Sequence, residues 1–296
     1  MSLLKQKSFK NQITPYLFLA PAMIFILLVF AYPVLDLLRR SVTIFRQGEL
    51  EFIGLEAYRF ALKDDVFWVS LFNNFRLILA VPILAILSLV FATLIFERVR
   101  GWNIYRTIVF IPYVMAIPVV GIIFSYILQY NGVLNTVLRN VGLDFIALDW
   151  LGSSKYAIWS LMAVIIWKEL GFGIVLFLAR LASISEDLLD AAKLDGANWF
   201  QRLRHVIIPQ TATVLEFYIV ITIILMLSWV FAYVLVMTKG GPGTSTWVME
   251  YFIYQKAFRY TQMHIASAGA VLLLAFALVL MFLQARYRRQ MESYLE

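Results

Sequence analysis

No cysteine occurs in the 296 residues, and the only histidines are His205 and His264. The first absence excludes disulfides, thiolate metal sites and a cysteine nucleophile. Two imidazoles so far apart in sequence make no zinc motif. Charge is scarce as well: Asp, Glu, Lys and Arg make up 15% of the chain, hydrophobic residues 62%, and mean hydropathy is +0.82. Soluble domains carry about 25% charged residues, so this balance points to an integral membrane protein. A net charge of +7 would suggest nucleic acid in a soluble chain. With no nucleic-acid motif beside it, the excess reads as basic residues at membrane edges.

What the sequence has is long apolar runs. Six spans are predicted at 15–38, 71–96, 107–129, 156–179, 214–237 and 265–285, each long enough at 1.5 Å per residue to cross a ~30 Å hydrocarbon core. Lys5, Lys7 and Lys10 precede the first, which is too long for a signal-peptide core and lacks a small-residue cleavage site, so it is expected to be retained. Pro21, Pro33, Pro82, Pro112 and Pro118 lie in or at the ends of spans and predict kinks. No stretch between spans can hold a separate soluble domain, so residues 1–296 read as one all-α transmembrane domain. The 39–76 region, with Glu49, Glu51, Glu56, Asp64 and Asp65, is long enough for a small external structure. With the N-terminus inside, thirteen basic residues fall inside and eleven outside, a thin bias towards cytoplasmic termini.

One stretch between two spans, Ser183 to Pro209, is far more polar than its surroundings. Ser183 and Glu186 have capping-box spacing, and Glu186 and Asp187 suit the first turn of a helix running to about Asp195. Gly196 stops it. Asn198 can cap a second helix carrying Trp199, Phe200 and Leu203, which Pro209 should limit. Apolar residues on a short helix pair can dock on a protein, or they can lie on the bilayer surface with Arg202 and Arg204 at the headgroups. The physics leaves both open.

The residues of this stretch resemble the EAA loop of ABC importer permeases: Asp190-Ala191-Ala192, Gly196, then Val206 and Ile208-Pro209. Leu194-Asp195-Gly196-Ala197 resembles the Ile-Asp-Gly-Ala of the carbohydrate branch. Asp190 replaces the usual Glu, and Ser185 stands where proline is common. The resemblance implies a type I importer permease fold in which Ser185, Glu186, Asp190, Ala191, Ala192, Asp195, Gly196, Ala197, Trp199, Arg202 and Pro209 form a coupling element seated on an ATPase. It also implies that the loop, and so both termini, are cytoplasmic.

A second motif narrows the branch. Thr238-Lys239-Gly240-Gly241-Pro242 with Ser245-Thr246 resembles the pattern after span five in the MalF-like or UgpA-like member of a permease pair. Read alone, the Gly240-Gly241-Pro242 turn lacks the Gly-Lys-Ser/Thr ending of a phosphate loop, so a tight external turn is expected. Tyr16 to Ala22, Tyr32-Pro33, Phe52 to Leu55, Tyr254, Ala257-Phe258 and Ala266-Ser267-Ala268 extend the likeness along nearly the whole chain.

A sugar needs hydrogen-bonding groups and an aromatic face near mid-membrane. Lys168 and Glu169 sit mid-way along span four, where charges usually face a cavity or a partner. As helix neighbours they are not expected to form one simple ion pair. Trp229, Phe231 and Tyr233 precede the Gly-Gly-Pro turn, and resemblance puts substrate contact there. Asn73, Asn74 and Arg76 open span two, where they could line an external entrance. The reading implied is a bacterial plasma-membrane permease subunit for a sugar, oligosaccharide or glycerol-phosphate-type solute, with no chemistry and no cofactor of its own. ATP and Mg would bind a partner ATPase dimer. A second permease and an extracytoplasmic solute-binding protein complete the expected partners, with lipid around them. Rival readings are an ABC permease for another small polar solute, and an ion-coupled transporter using Lys168, Glu169 and Glu216.

Overall fold

The computed structural model describes residues 9–97 and 102–295. Helix dominates, because in hydrocarbon each backbone donor and acceptor needs a partner within its own segment. Helix α1 (Phe9–Ile26) continues through a π turn (Leu27–Ala31) into α2 (Tyr32–Ser41). Pro33 lies in the first turn of α2, and the π turn before it accommodates the N–H it lacks. The one departure from an all-α fold follows: an antiparallel hairpin of β1 (Thr43–Arg46) and β2 (Glu49–Phe52), turned by Gln47 and Gly48, both at positive φ. Helix α3 (Glu56–Lys63) completes the small structure after α2, held by the Ser41–Tyr58 hydroxyl contact of 2.7 Å.

Helices α4 (Asp65–Ile78) and α5 (Ala80–Phe96) form one span from Asp65 to Phe96. It begins before the predicted residue 71 because the Asp64 carboxylate caps the helix, accepting from Val66 N at 2.9 Å. The next span is two helices, α6 (Trp102–Val114) and α7 (Ile117–Ile127), bent by 105° between Thr107–Val114 and Ile117–Ile127. Pro118 opens α7. The segment after it contains α8 (Val133–Asn140) and is gathered by buried Asn135, which donates to the Tyr130 and Leu148 carbonyls and accepts from Trp150 Nε1. Then come α9 (Ala157–Leu181), α10 (Glu186–Leu194), α11 (Trp199–Arg202), a π turn (Leu203–Ile207) and α12 (Ile208–Met226). Pro209 does not limit α11, contrary to expectation. It falls in the first turn of α12, and the preceding π turn absorbs the irregularity, so helix runs on from Trp199 to Met226.

Span five also ends earlier than predicted. It breaks at 227–229, and a separate segment follows: α13 (Val230–Tyr233) with a π turn (Val234–Thr238). Helices α14 (Met249–Tyr254) and α15 (Met263–Leu295) complete the chain. Among the described residues five helices are long and apolar enough to cross a membrane, and the bent pair makes six if it is one span.

Two compact units are distinguished, one formed by the described residues up to Lys63 with Ile253–Leu272, the other by Asp64–Phe252 with the described residues from Leu273. In the second, α5, α9 and α12 share a core that includes Leu84, Leu161, Ile165, Phe177 and Tyr218. Glycine on α9 permits the closest approach: a Cβ at Gly171 would lie 2.6 Å from the Val109 carbonyl, and one at Gly173 would strike Ser88 Oγ.

Candidate functional site

Helices α10 and α11 form the predicted helix–glycine–helix. Ser183 is not the N-cap of α10. Ser183 closes the end of α9 instead, its Oγ donating to the Arg180 carbonyl at 2.7 Å, and Ser185 is the N-cap without a side-chain bond. The Glu186 side chain, like Lys5, Lys7 and the Lys10 side chain, lies outside the described residues. Asp195 ends α10, and Gly196 follows at φ +78°. Gly196 N donates to the Lys193 carbonyl and Ala197 N to the Ala192 carbonyl, both at 3.0 Å, the paired bonds of a Schellman turn. Asn198 then caps α11 as predicted and more fully: its Oδ1 accepts from Gln201 N, and Gln201 Oε1 accepts from Asn198 N.

A rigid elbow results, with its apolar tips turned outwards. Leu194 is 88% and Phe200 62% exposed, while Leu203 and Ile207 are buried below them. Asp190 pairs with Lys193 at 2.8 Å on the surface, a contact worth little. Arg202 does more. Its Nη1 donates to the Ala197 carbonyl at 3.0 Å and its Nη2 meets Glu97 Oε1 at 2.8 Å, tying the elbow to the end of α5. Glu97 escaped the sequence reading, although a carboxylate directly after an apolar span is a visible signal. Phe96, Glu97, Leu189, Lys193, Arg202 and Ile207 line a cavity of about 570 Å³ against the elbow, and the nearby Trp199 Nε1 is buried with no partner among the described residues.

Lys168 and Glu169 are both buried on α9 and do form one ion pair, Nζ to Oε1 at 3.1 Å, against expectation. Adjacent helix residues diverge at Cβ, but with little water at the site the long side chains find partners by bending back on each other. Lys168 Nζ also donates to the Tyr113 carbonyl at 3.3 Å and lies 5.2 Å from the Tyr113 ring centroid. Tyr233 Oη donates to Glu169 Oε1 at 3.3 Å. Tyr233 is fully buried, whereas Trp229, at the break, is 61% exposed and Phe231 is half-buried against Tyr251. The structure thus gathers Lys168, Glu169 and Tyr233 and leaves Trp229 apart.

The segment after span five is a tight turn. Thr246 Oγ1 donates to the Gly241 carbonyl and meets Thr238 Oγ1, each at 2.8 Å. Gly240 has φ +83°, and a Cβ there would lie 2.5 Å from Trp247 Nε1, so only glycine fits. Asn73 and Asn74 are fully buried inside α4 and line no entrance. They hold this turn: Asn73 Nδ2 donates to the Ser245 and Trp247 carbonyls, and Asn74 Oδ1 accepts from Met249 N at 2.8 Å. Two adjacent asparagines in an apolar helix were the signal for such tethers.

Asn74 Nδ2 reaches Glu250 Oε2 at 3.3 Å, but Glu250 Oε1 has no partner among the described residues. Burial pushes the Glu250 carboxyl up to about 7, against the opposing hydrogen bonds from its own backbone and from Asn74. The folded state therefore binds this proton more tightly than the unfolded chain, where glutamate titrates near 4.3. Stability from this group is full below that value and falls as pH rises to about 7, by on the order of 3 kcal/mol. Thermal unfolding in detergent should show a midpoint several degrees lower at pH 8 than at pH 5, and Glu250→Gln should remove most of that difference.

Residues 71–293 match the family described as the binding-protein-dependent transport system inner membrane component. The chain is 33% identical to a probable ABC transporter permease protein of Bacillus subtilis, over 94% of this chain and 97% of that one. It is 32% identical to the trehalose/maltose transport system permease protein MalF of Thermococcus litoralis, over 90% of each. In fold it is similar to a crystal structure of a bacterial ABC transporter involved in alginate import, with a TM-score of 0.83 at 24% identity, covering 96% of this chain and 98% of that one.

Proposed function

From its membership of the binding-protein-dependent transport system inner membrane component family, to which the chain belongs, we propose that it forms one half of the translocation pathway of an ATP-driven importer of a sugar or oligosaccharide. The substrate class follows the trehalose/maltose relative. The chain carries no catalysis in this reading: ATP and Mg bind a separate ATPase dimer, a second permease supplies the other half of the pathway, and an external binding protein delivers the solute.

The observation that carries the reading is the elbow of α10 and α11. Its Schellman turn and capping box make it stiff, its exposed Leu194 and Phe200 give it something to dock, and Arg202 joins it to α5 through Glu97. Movement of an ATPase groove around Ser185 to Arg202 is thereby passed to the spans. In this reading the loop and both termini lie in the cytoplasm. At the pathway we assign Trp229 and Phe231 to substrate contact at the break in span five, with Lys168, Glu169 and Tyr233 as the polar layer behind them.

Expression with and without the second permease tests the proposal. Six spans enclose no complete pathway, so this chain with an ATPase alone should give no uptake stimulated by binding protein, and adding the second permease should restore it. Full uptake by this chain and the ATPase alone would overturn it.

A further inference from the structure

Two spans are interrupted, and both interruptions lead to the same two residues. Tyr113 lies in the last turn of α6, where carbonyls run out of intrahelical donors and the helix dipole is negative. Lys168 Nζ supplies the missing donor and the positive charge together. Its neighbour Glu169 accepts from Tyr233, four residues beyond the break at 227–229. The segments beyond the breaks also pack on each other: a Cβ on Gly121 of α7 would lie 3.1 Å from Val236 Cγ1. Glu169 Oε1 is thus shared by a side chain tied to one interrupted span and a side chain belonging to the other.

We propose that Lys168 and Glu169 are positioning residues that join the two interrupted spans at their breaks, so that Ile117–Ile127 and Val230–Thr238 shift as one body. The pair acts through the spans rather than by leaving its charges open to solvent, since both side chains are buried and engaged. The inference deepens the permease reading, and its test uses the resting complex without nucleotide, so that it stands or falls separately from ATP-driven uptake.

The chain has no cysteine, so single cysteines can be placed at Ala116→Cys in one break and Ser228→Cys in the other, both exposed positions. In the complex with the second permease and ATPase, reconstituted in nanodiscs, the rate of reaction with a membrane-permeant maleimide is read at each. Tyr233→Phe removes only the hydroxyl that reaches Glu169. It should change labelling at Ala116→Cys as well as at Ser228→Cys, by about threefold or more. Lys168→Met should likewise change labelling at Ser228→Cys. Val236→Ala, which loosens the packing against Gly121 but leaves the pair intact, should leave these cross-effects in place. If Tyr233→Phe changes labelling only at Ser228→Cys, or at neither position, the proposal is overturned, whether or not Lys168→Met assembles. Loss of the cross-effect in Val236→Ala would also overturn it, by assigning the connection to packing.

Discussion

A permease with Gly196→Asp is expected to insert, to reach the membrane in normal amount and to lose transport. No atom lies within 4 Å of where a Cβ at Gly196 would stand, so crowding is not the cause. Conformation is: at φ +78° a side chain costs at most about 1–2 kcal/mol, less for the short polar Asp than for a bulkier residue, and relaxing that strain loosens the Schellman turn that sets α10 against α11. The new carboxylate also stands two residues from Leu194, the most exposed apolar tip of the elbow. Both effects act on docking and neither reaches the core. Recovery of the ATPase with the permease from membranes should therefore fall, or hydrolysis should cease to respond to loaded binding protein, while the spans stay folded. A variant that retains its ATPase and hydrolyses ATP in step with uptake would return Ser183 to Pro209 to the interfacial-hairpin reading.

Truncation of one member of the buried pair should be the most damaging single change inside the spans. Lys168→Met leaves Glu169 buried with, among the described residues, the Tyr233 hydroxyl against it and leaves the Tyr113 carbonyl without its donor. Breaking such a pair costs about 3–5 kcal/mol, while replacing both members by neutral groups of similar volume is often close to neutral. Lys168→Met should therefore lower the yield and the thermal midpoint sharply, and Lys168→Met with Glu169→Gln should recover most of the loss. A double variant no more stable than the single one would mean that the carboxylate is not the source of the cost.

Sequence reading located the spans and the elbow because both rest on local rules: apolar length, a glycine where a helix must stop, an asparagine where one must start. It misjudged Pro209 because the same residue ends one helix or begins another, and only the π turn at Leu203–Ile207 decides which. The Lys168–Glu169 pair was missed for a different reason. Spacing rules for helix neighbours describe side chains that water keeps apart, and here burial removes that alternative. Asn73, Asn74 and Glu97 are tethers to residues more than a hundred positions away in sequence, and no local pattern names such partners. The breaks at 115–116 and 227–229 were only half legible, because proline marks the first and the second carries no breaker at all.

In the proposed importer this chain moves solute at the expense of ATP bound to another subunit. Proteoliposomes containing this permease, its partner permease and the ATPase, with maltose as probe and the cognate binding protein outside the elbow-free face, test it directly. Uptake should require ATP on the ATPase side, should vanish with Gly196→Asp, and should be indifferent to ionophores that collapse proton and sodium gradients. ATP hydrolysis stimulated by the loaded binding protein should follow the same pattern even where maltose is a poor substrate. Uptake driven by an ion gradient without ATP, and hydrolysis that ignores the binding protein, would contradict the account.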